Sequence, residues 1–441
     1  MLQSFYTAFT GLNADKTWLS VISDNIANVN TVGFKKENAV FEDLLARSLT
    51  TFKNGAPVNQ EIGGGTFISA TVKDFSQGTF MNTSNPLDLA LDGEGFFMVK
   101  DNGGVTYYTR NGEFRLDANG DLINMLGMKV QGWMLDDNGN MAGSISDINI
   151  PMSIDPKVTN QMAFEEPTNL NSQAPIINDS NGDGIQDTDN FDPKDPTTYN
   201  YVNSLNVYDS LGNSHTLTYY FIHTDKQNNK WNVYAILDNN DTDKKLLTLQ
   251  FDSQGRIINA SDGVNTVTYT YDSTGNQTKS GTDPEVSFNV TNGAQSPMTV
   301  KVLFDKVKQV ASDFIFYAQQ DGNSKGDIMS VAVSEDGVIK ATYTNGKVKD
   351  IARLAVATFK DKEMLVRKGS WLYTPNVQTF TPVIMPGGII SKIRSGMLEM
   401  SNVDIASEFI NLITAQRSYQ ANARVITTDD QILQETMNIK R

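Results

Sequence analysis

The chain has 441 residues, 39 % hydrophobic and 20 % charged, enough for about two to four domains with real cores and unlike a disordered chain. Its net charge of −15 argues against binding nucleic acid or anionic membrane, and the absence of Cys removes disulfides and thiolate chemistry. No run approaches a transmembrane length and no cleavable secretory signal opens the chain, so an exported product would need a route that cleaves no signal peptide.

Residues 1–30 predict a helix. Leu2, Phe5, Phe9, Leu12, Leu19 and Ile26 recur in a three-four rhythm, broken by Lys16 and Ser23 and widened by Trp18, Ile22 and Val29. Asn28, Asn30 and Gly33 then supply stop signals. Residues 31–70 read as a linker or arm, with a short helical pattern at Phe41, Leu44 and Leu45 before Gly63-Gly64-Gly65. No Lys-Ser/Thr follows those glycines, so they are not a phosphate loop. Residues 71–150 turn to strands at 87–91 and 96–99, with an Asn-Gly turn at Asn111-Gly112. Asp92-Gly93-Glu94-Gly95 lacks the third glycine and the following helix of a dinucleotide loop.

Residues 151–319 are rich in Asn, Asp, Thr and Ser. Strand patterns at 202–207, 216–222, 231–237, 246–251 and 264–271 predict an outer β-sandwich or barrel. Residues 320–395 resume the texture of 71–150, including a second Asn-Gly hairpin at Asn345-Gly346, so one mainly-β body should be built from two separated segments. Prolines 375, 382 and 386 and Gly387-Gly388 lead back to a final helix over 396–441. There Ile405, Phe409, Leu412, Tyr419, Ala423, Ile426, Leu433 and Met437 follow a heptad, with Gln416 and Asp430 in its two gaps. Ser401 with Asp404 resembles a capping pair, Lys440 and Arg441 suit the far end of the dipole, and the helix should run roughly 60 Å. Between Phe409 and Thr428 only Arg417 and Arg424 are charged, an outer face too neutral for a helix that meets only water. The expected fold is therefore α+β and multidomain. Its terminal helices pair as a coiled-coil-like core, and the β body and outer β domain are inserted between them.

The stretch Asn25-Ile26-Ala27-Asn28-Val29-Asn30-Thr31-Val32-Gly33-Phe34, together with Asn402-Val403-Asp404 and Gln416-Arg417-Ser418-Tyr419-Gln420-Ala421-Asn422, resembles the rod and hook axial proteins of the bacterial flagellum. Val207-Tyr208-Asp209-Ser210-Leu211-Gly212-Asn213 resembles the outer domain of hook subunits in particular, which rod subunits as a family usually lack. The resemblance implies a structural, non-enzymatic subunit of a curved helical tube in the basal body and hook, outside the cell. Its partners would be copies of itself, the rod, hook–filament junction and hook cap proteins, and the flagellar export apparatus. Neither nucleic acid nor membrane insertion is implied, and no cofactor is required. Leu2, Phe5, Phe9, Leu12, Leu19 and Ile26 of the first helix and Ile405, Phe409, Leu412, Tyr419, Ile426 and Leu433 of the last would then be self-assembly residues, since a head-to-tail contact that does not close builds a filament.

One segment suggests a metal. Asp179, Asn181, Asp183 and Asp187 hold the first, third, fifth and ninth positions of a calcium loop, with Gly184 at the sixth. The twelfth position is Asn190 and no helix flanks it, so a plain acidic loop is the competing reading. His215 and His223 share strand parity and read as a solvated strand face. No nucleophile elbow or zincin motif occurs.

Overall fold

The computed structural model describes residues 2–53, 56–137, 139–376 and 381–439. The side chain of Leu2, and Lys440 and Arg441, lie outside the described residues. The chain forms two compact units: residues 1–152, 329–342 and 348–441, and residues 153–328 with 343–347. The sequence pattern puts the insertion at 151–319.

In the first unit, α1 (Leu2–Ala27) and α2 (Ile405–Ile439) pack on each other. The N-cap of α2 is Asp404 rather than Ser401: its carboxylate accepts from the Ala406 N–H at 3.1 Å and the Ser407 hydroxyl at 2.7 Å. The Ser401 hydroxyl instead accepts from the Val403 N–H, inside the lead-in turn. The 35 described residues of α2 therefore span about 52 Å.

The described residues of the arm contain no helix. β1 (Glu37–Lys53) and β2 (Ala56–Lys73) form one long antiparallel hairpin, bulged at Val40/Phe41 and on both sides of Leu45. Three apolar residues are too few to hold a helix, and Val, Ile, Thr and Phe flanking them favour a pleated pair. Gly65 has φ +109°, and an added Cβ would lie 2.0 Å from Thr10 Oγ1, so the bare backbone lets the hairpin lie against α1. Edge-to-face contact of Trp18 with Phe41 at 5.4 Å closes the same junction.

The body sheet is centred on Val348–Thr358. It pairs with Val338–Tyr343 beside it, with Phe96–Lys100 and Lys129–Leu135 from before the insertion, and with Val383–Pro386. The outgoing and returning legs also pair, Leu89–Gly93 with Ser391–Ser395 and Phe80–Asn82 with Met397–Glu399. Phe96, Met98, Tyr108, Ala355, Ala357, Phe359 and Tyr373 form the core beneath. Asn111-Gly112 is not a hairpin turn. Gly112 passes so close to Leu89 that a Cβ would sit 1.7 Å from its carbonyl oxygen. Asn345-Gly346 does close a hairpin, with the Gly346 N–H donating to the Tyr343 carbonyl at 2.9 Å.

The second unit carries a seven-stranded antiparallel meander in chain order from Tyr201–Tyr208 to Gln277–Gly281. Ile257–Ser261 and Gln277–Gly281 are strands outside the five that the sequence pattern picks out. The sheet is open at both edges, so it is not a closed barrel. A four-stranded sheet, Glu285–Phe288, Met298–Leu303, Gln161–Phe164 and Ala318–Gln320, shares its core, in which Phe164 stacks on Phe304 at 4.9 Å. One turn chemistry recurs in both units: in Asp-x-x-Gly, at 101, 117, 136, 209, 252 and 272, the Gly N–H donates to the Asp carbonyl and the Asp carboxylate accepts from the N–H four residues on.

Candidate assembly surface

The seam between α1 and α2 is small and polar. Asp15, 4 % exposed, accepts from Ser418 Oγ at 3.0 Å and Asn422 Nδ2 at 2.8 Å, and Ser4 Oγ donates to Asp429 at 2.7 Å. Gly11 faces Asn422 so closely that a Cβ would lie 2.7 Å from its amide. On α2 the buried heptad runs Glu408, Ala415, Asn422 and Asp429, with Asn422 half-buried. Small residues let the backbones approach, and hydrogen bonds then fix the register.

This corrects the expected seam. The apolar residues predicted to join the helices lie beside the contact, many of them exposed. Phe9 is 48 % exposed and Phe409 49 %, and Ile405, Tyr419 and Leu433 are exposed as well; Ile410, outside the predicted set, is 66 % exposed. Phe5, Leu12, Leu19, Ile26, Leu412 and Ile426 are half-buried. Gln416 and Arg417 point to solvent. The helix pair satisfies itself through polar groups and leaves large apolar side chains uncovered, far more than scattered surface hydrophobes require.

Most of the family-motif residues build the joint between helices, hairpin and body. Asn25 makes a two-way bond with the Glu37 backbone, at 2.9 and 3.0 Å, closing the α1 exit. Asn28 bonds back to Asp24, while Asn30 is exposed. Gly33, φ +70°, donates its N–H to the Glu399 carbonyl at 2.7 Å, and a Cβ there would strike the Asn111 N at 2.6 Å. Phe34 is buried beneath the Arg367 guanidinium. Asn402 accepts from the Lys36 N–H and donates to the Asp74 carbonyl.

Sequence reasoning missed the centre of this joint. Glu399, fully buried, accepts from Lys35 Nζ at 2.6 Å, Arg110 Nη1 at 3.0 Å and the Gly78 N–H at 3.0 Å. Lys35 also donates to the Ser76 carbonyl at 2.6 Å. Burial pushes the Lys35 ammonium below its ordinary range, and Glu399 opposes that pull. Lys35 directly follows the first motif and Glu399 lies shortly before the second, which is the one signal that pointed here.

In the second unit the acidic loop folds on itself. Asp179 accepts from the Gly182, Asp183 and Gly184 N–H groups, Asn181 accepts from the Asp183 N–H, and Asp187 accepts from the Ser180 N–H. Among the described residues no three acidic, His or Cys side chains converge to hold a metal ion. The histidines do not form a solvated strand face. His223 is fully buried and stacked 4.6 Å from Trp231, with Nδ1 on the Ala174 carbonyl, and burial lowers its pKa. His215 lies between Asp238 and Asp209, at 2.6 and 3.2 Å. Against the downward pull of burial, those carboxylates raise its pKa.

Four family models match the chain: the flagella basal body rod protein (residues 5–35), the flagellar hook protein FlgE/F/G D1 domain (90–163), the flagellar basal body protein FlaE D2 domain (169–323) and the flagellar basal body rod FlgEFG protein C-terminal region (394–439). The flagellar hook protein FlgE of Salmonella typhimurium is 31 % identical over 448 residues, covering 99 % of this chain and all of that one. The chain belongs to the flagellar hook protein FlgE family. FlgE of Escherichia coli K12 is 30 % identical over 446 residues with the same coverage, and FlgE of Borreliella burgdorferi is 31 % identical over 469. A crystal structure of Helicobacter pylori FlgE2 matches with a TM-score of 0.49 at 15 % identity, covering 73 % of this chain and all of that one. The family is structural, not enzymatic. Its rod models fall on the two segments that build the joint, and its D2 model falls inside the second unit. No helix among the described residues is long and apolar enough to cross a membrane.

Proposed function

We propose that the chain is a structural subunit of the bacterial flagellar hook, assembling head to tail into a curved tube that passes torque from rod to filament. The observation that carries this reading is the uncovered apolar surface of the helix pair. A single chain leaves it in water, and a stack of copies would bury it. The helix pair would form a coiled-coil-like inner wall. The two sheets of the second unit, sharing one core, would act as a β-sandwich. Its weak polar contacts with neighbouring copies would allow the tube to bend. Other partners by this reading are the rod, junction and cap proteins and the export apparatus, reached without a cleaved signal peptide. The test is sedimentation over a concentration series with electron microscopy of the product. Curved tubes support the proposal, and a chain monomeric at every concentration refutes it. Straight rigid polymers would instead favour a rod subunit, the reading to which the end-segment models lend weight.

No cofactor is needed. Calcium at Asp179, Asn181, Asp183 and Asp187 is proposed on the sequence match alone, and a calorimetric titration without saturable heat ends it.

A further inference from the structure

The sequence contains Asn-Gly at 54, 102, 111, 119, 138, 181, 292 and 345, and those at 54 and 138 involve undescribed residues. An Asn-Gly bond rearranges when the glycine nitrogen attacks the asparagine side-chain carbonyl. The reaction needs a free amide, a free glycine N–H and a backbone able to swing, and hydrogen bonds to either group block it. Five of the six described pairs are blocked. Asn111 is buried, its amide donating to Glu113 and its carbonyl accepting from the Glu113 N–H. The Gly120, Gly182 and Gly346 N–H groups are bound to Asp117, Asp179 and Tyr343. Asn292 is held by Asp209 and by the Ala294 N–H.

Asn102-Gly103 differs. It lies at the exposed tip between Phe96–Lys100 and Thr106–Thr109. In the sister turns the Asp carboxylate holds the N–H two residues on, at Asn119, Leu211, Gln254 and Thr274. Among the described residues the Asp101 carboxylate takes only the Val105 N–H, and neither the Asn102 side chain nor the Gly103 N–H has a partner. We propose that Asn102 is a site of spontaneous backbone modification in the folded protein. The Gly103 nitrogen bonds to Cγ of Asn102, and the Cγ–Nδ2 bond breaks. Ammonia leaves with the proton from the glycine nitrogen. Water then opens the succinimide at either carbonyl, leaving aspartate or isoaspartate and one added negative charge at the loop tip.

The test is timed incubation of the purified full chain in warm, mildly alkaline buffer, followed by peptide mapping by mass spectrometry. The expected result is conversion at Asn102 well ahead of Asn111, Asn119, Asn181, Asn292 and Asn345, with the six rates converging in urea. N102Q should abolish the first conversion and G103A should slow it. Equal native rates at all six, or a native Asn102 slower than any of the other five, overturns the proposal.

Discussion

Glu399 shows how much one side chain can carry. Two buried cations share its carboxylate, so losing that charge strands both. Glu399→Gln is expected to cost about 3–5 kcal/mol, read from urea denaturation; a cost below about 0.5 kcal/mol would mean the joint is held by packing instead. A different residue-scale effect belongs to the Asp-x-x-Gly turns. The Thr274 hydroxyl, the Asn276 and Thr274 N–H groups and the Asn276 amide hold the Asp272 carboxyl at about 2. Its unfolded value is about 4. A folded value below the unfolded one adds stability that is fully present above about pH 4 and is lost as pH falls toward 2. Asp209 opens another turn of this kind: burial pulls its carboxyl up, but Asn213, Asn292 and His215 together hold it far below the ordinary range. Asp272→Asn should therefore flatten part of the acid limb in a plot of urea midpoint against pH. An unchanged limb would show that this turn does not contribute.

At the scale of elements, the helix pair separates two jobs that one apolar stripe was expected to do alone. Its seam is small and polar, and several of its large apolar side chains, Phe9 and Phe409 among them, are exposed. The two sets should respond differently to substitution. Asp15→Ala leaves the Ser418 hydroxyl and Asn422 amide without their acceptor, at an expected cost of about 1–3 kcal/mol in the monomer, read as the melting of the helical signal. Phe409→Ser touches an exposed side chain, so monomer stability should move by no more than about 0.5 kcal/mol while polymer yield falls sharply. A Phe409→Ser chain that polymerises as well as the parent would remove this residue from the assembly surface.

The whole molecule enters and leaves its second unit through neighbouring strands, Ser153 pairing with Asp327 and Ile154 with Gly326. Excising residues 153–328 therefore leaves two ends that a short flexible linker can bridge. By the proposed function the shortened chain should still assemble, with altered curvature or stiffness seen by electron microscopy. Complete loss of assembly would put part of the tube wall in the second unit. Trimming both terminal helices should have the opposite result and abolish tubes.

The two terminal helices and the alternating strands around Trp231 were legible because each leaves a period of its own along the chain. The candidate surface was legible only as a list of apolar positions. Periodicity says that Phe409 needs cover but not what supplies it, and the monomer buries Ala415 and Asp15 instead. The docking of the arm hairpin on α1 was decided by the close approach of Gly65 to Thr10. The burial of His223 was decided by its stacking on a cross-strand tryptophan. Lys35 and Glu399 lie 364 positions apart and leave no local pattern. Sequence by itself determined which elements form, because propensity and period are local. Only the tertiary structure decided which faces meet, because burial and ion pairing depend on neighbours far away along the chain.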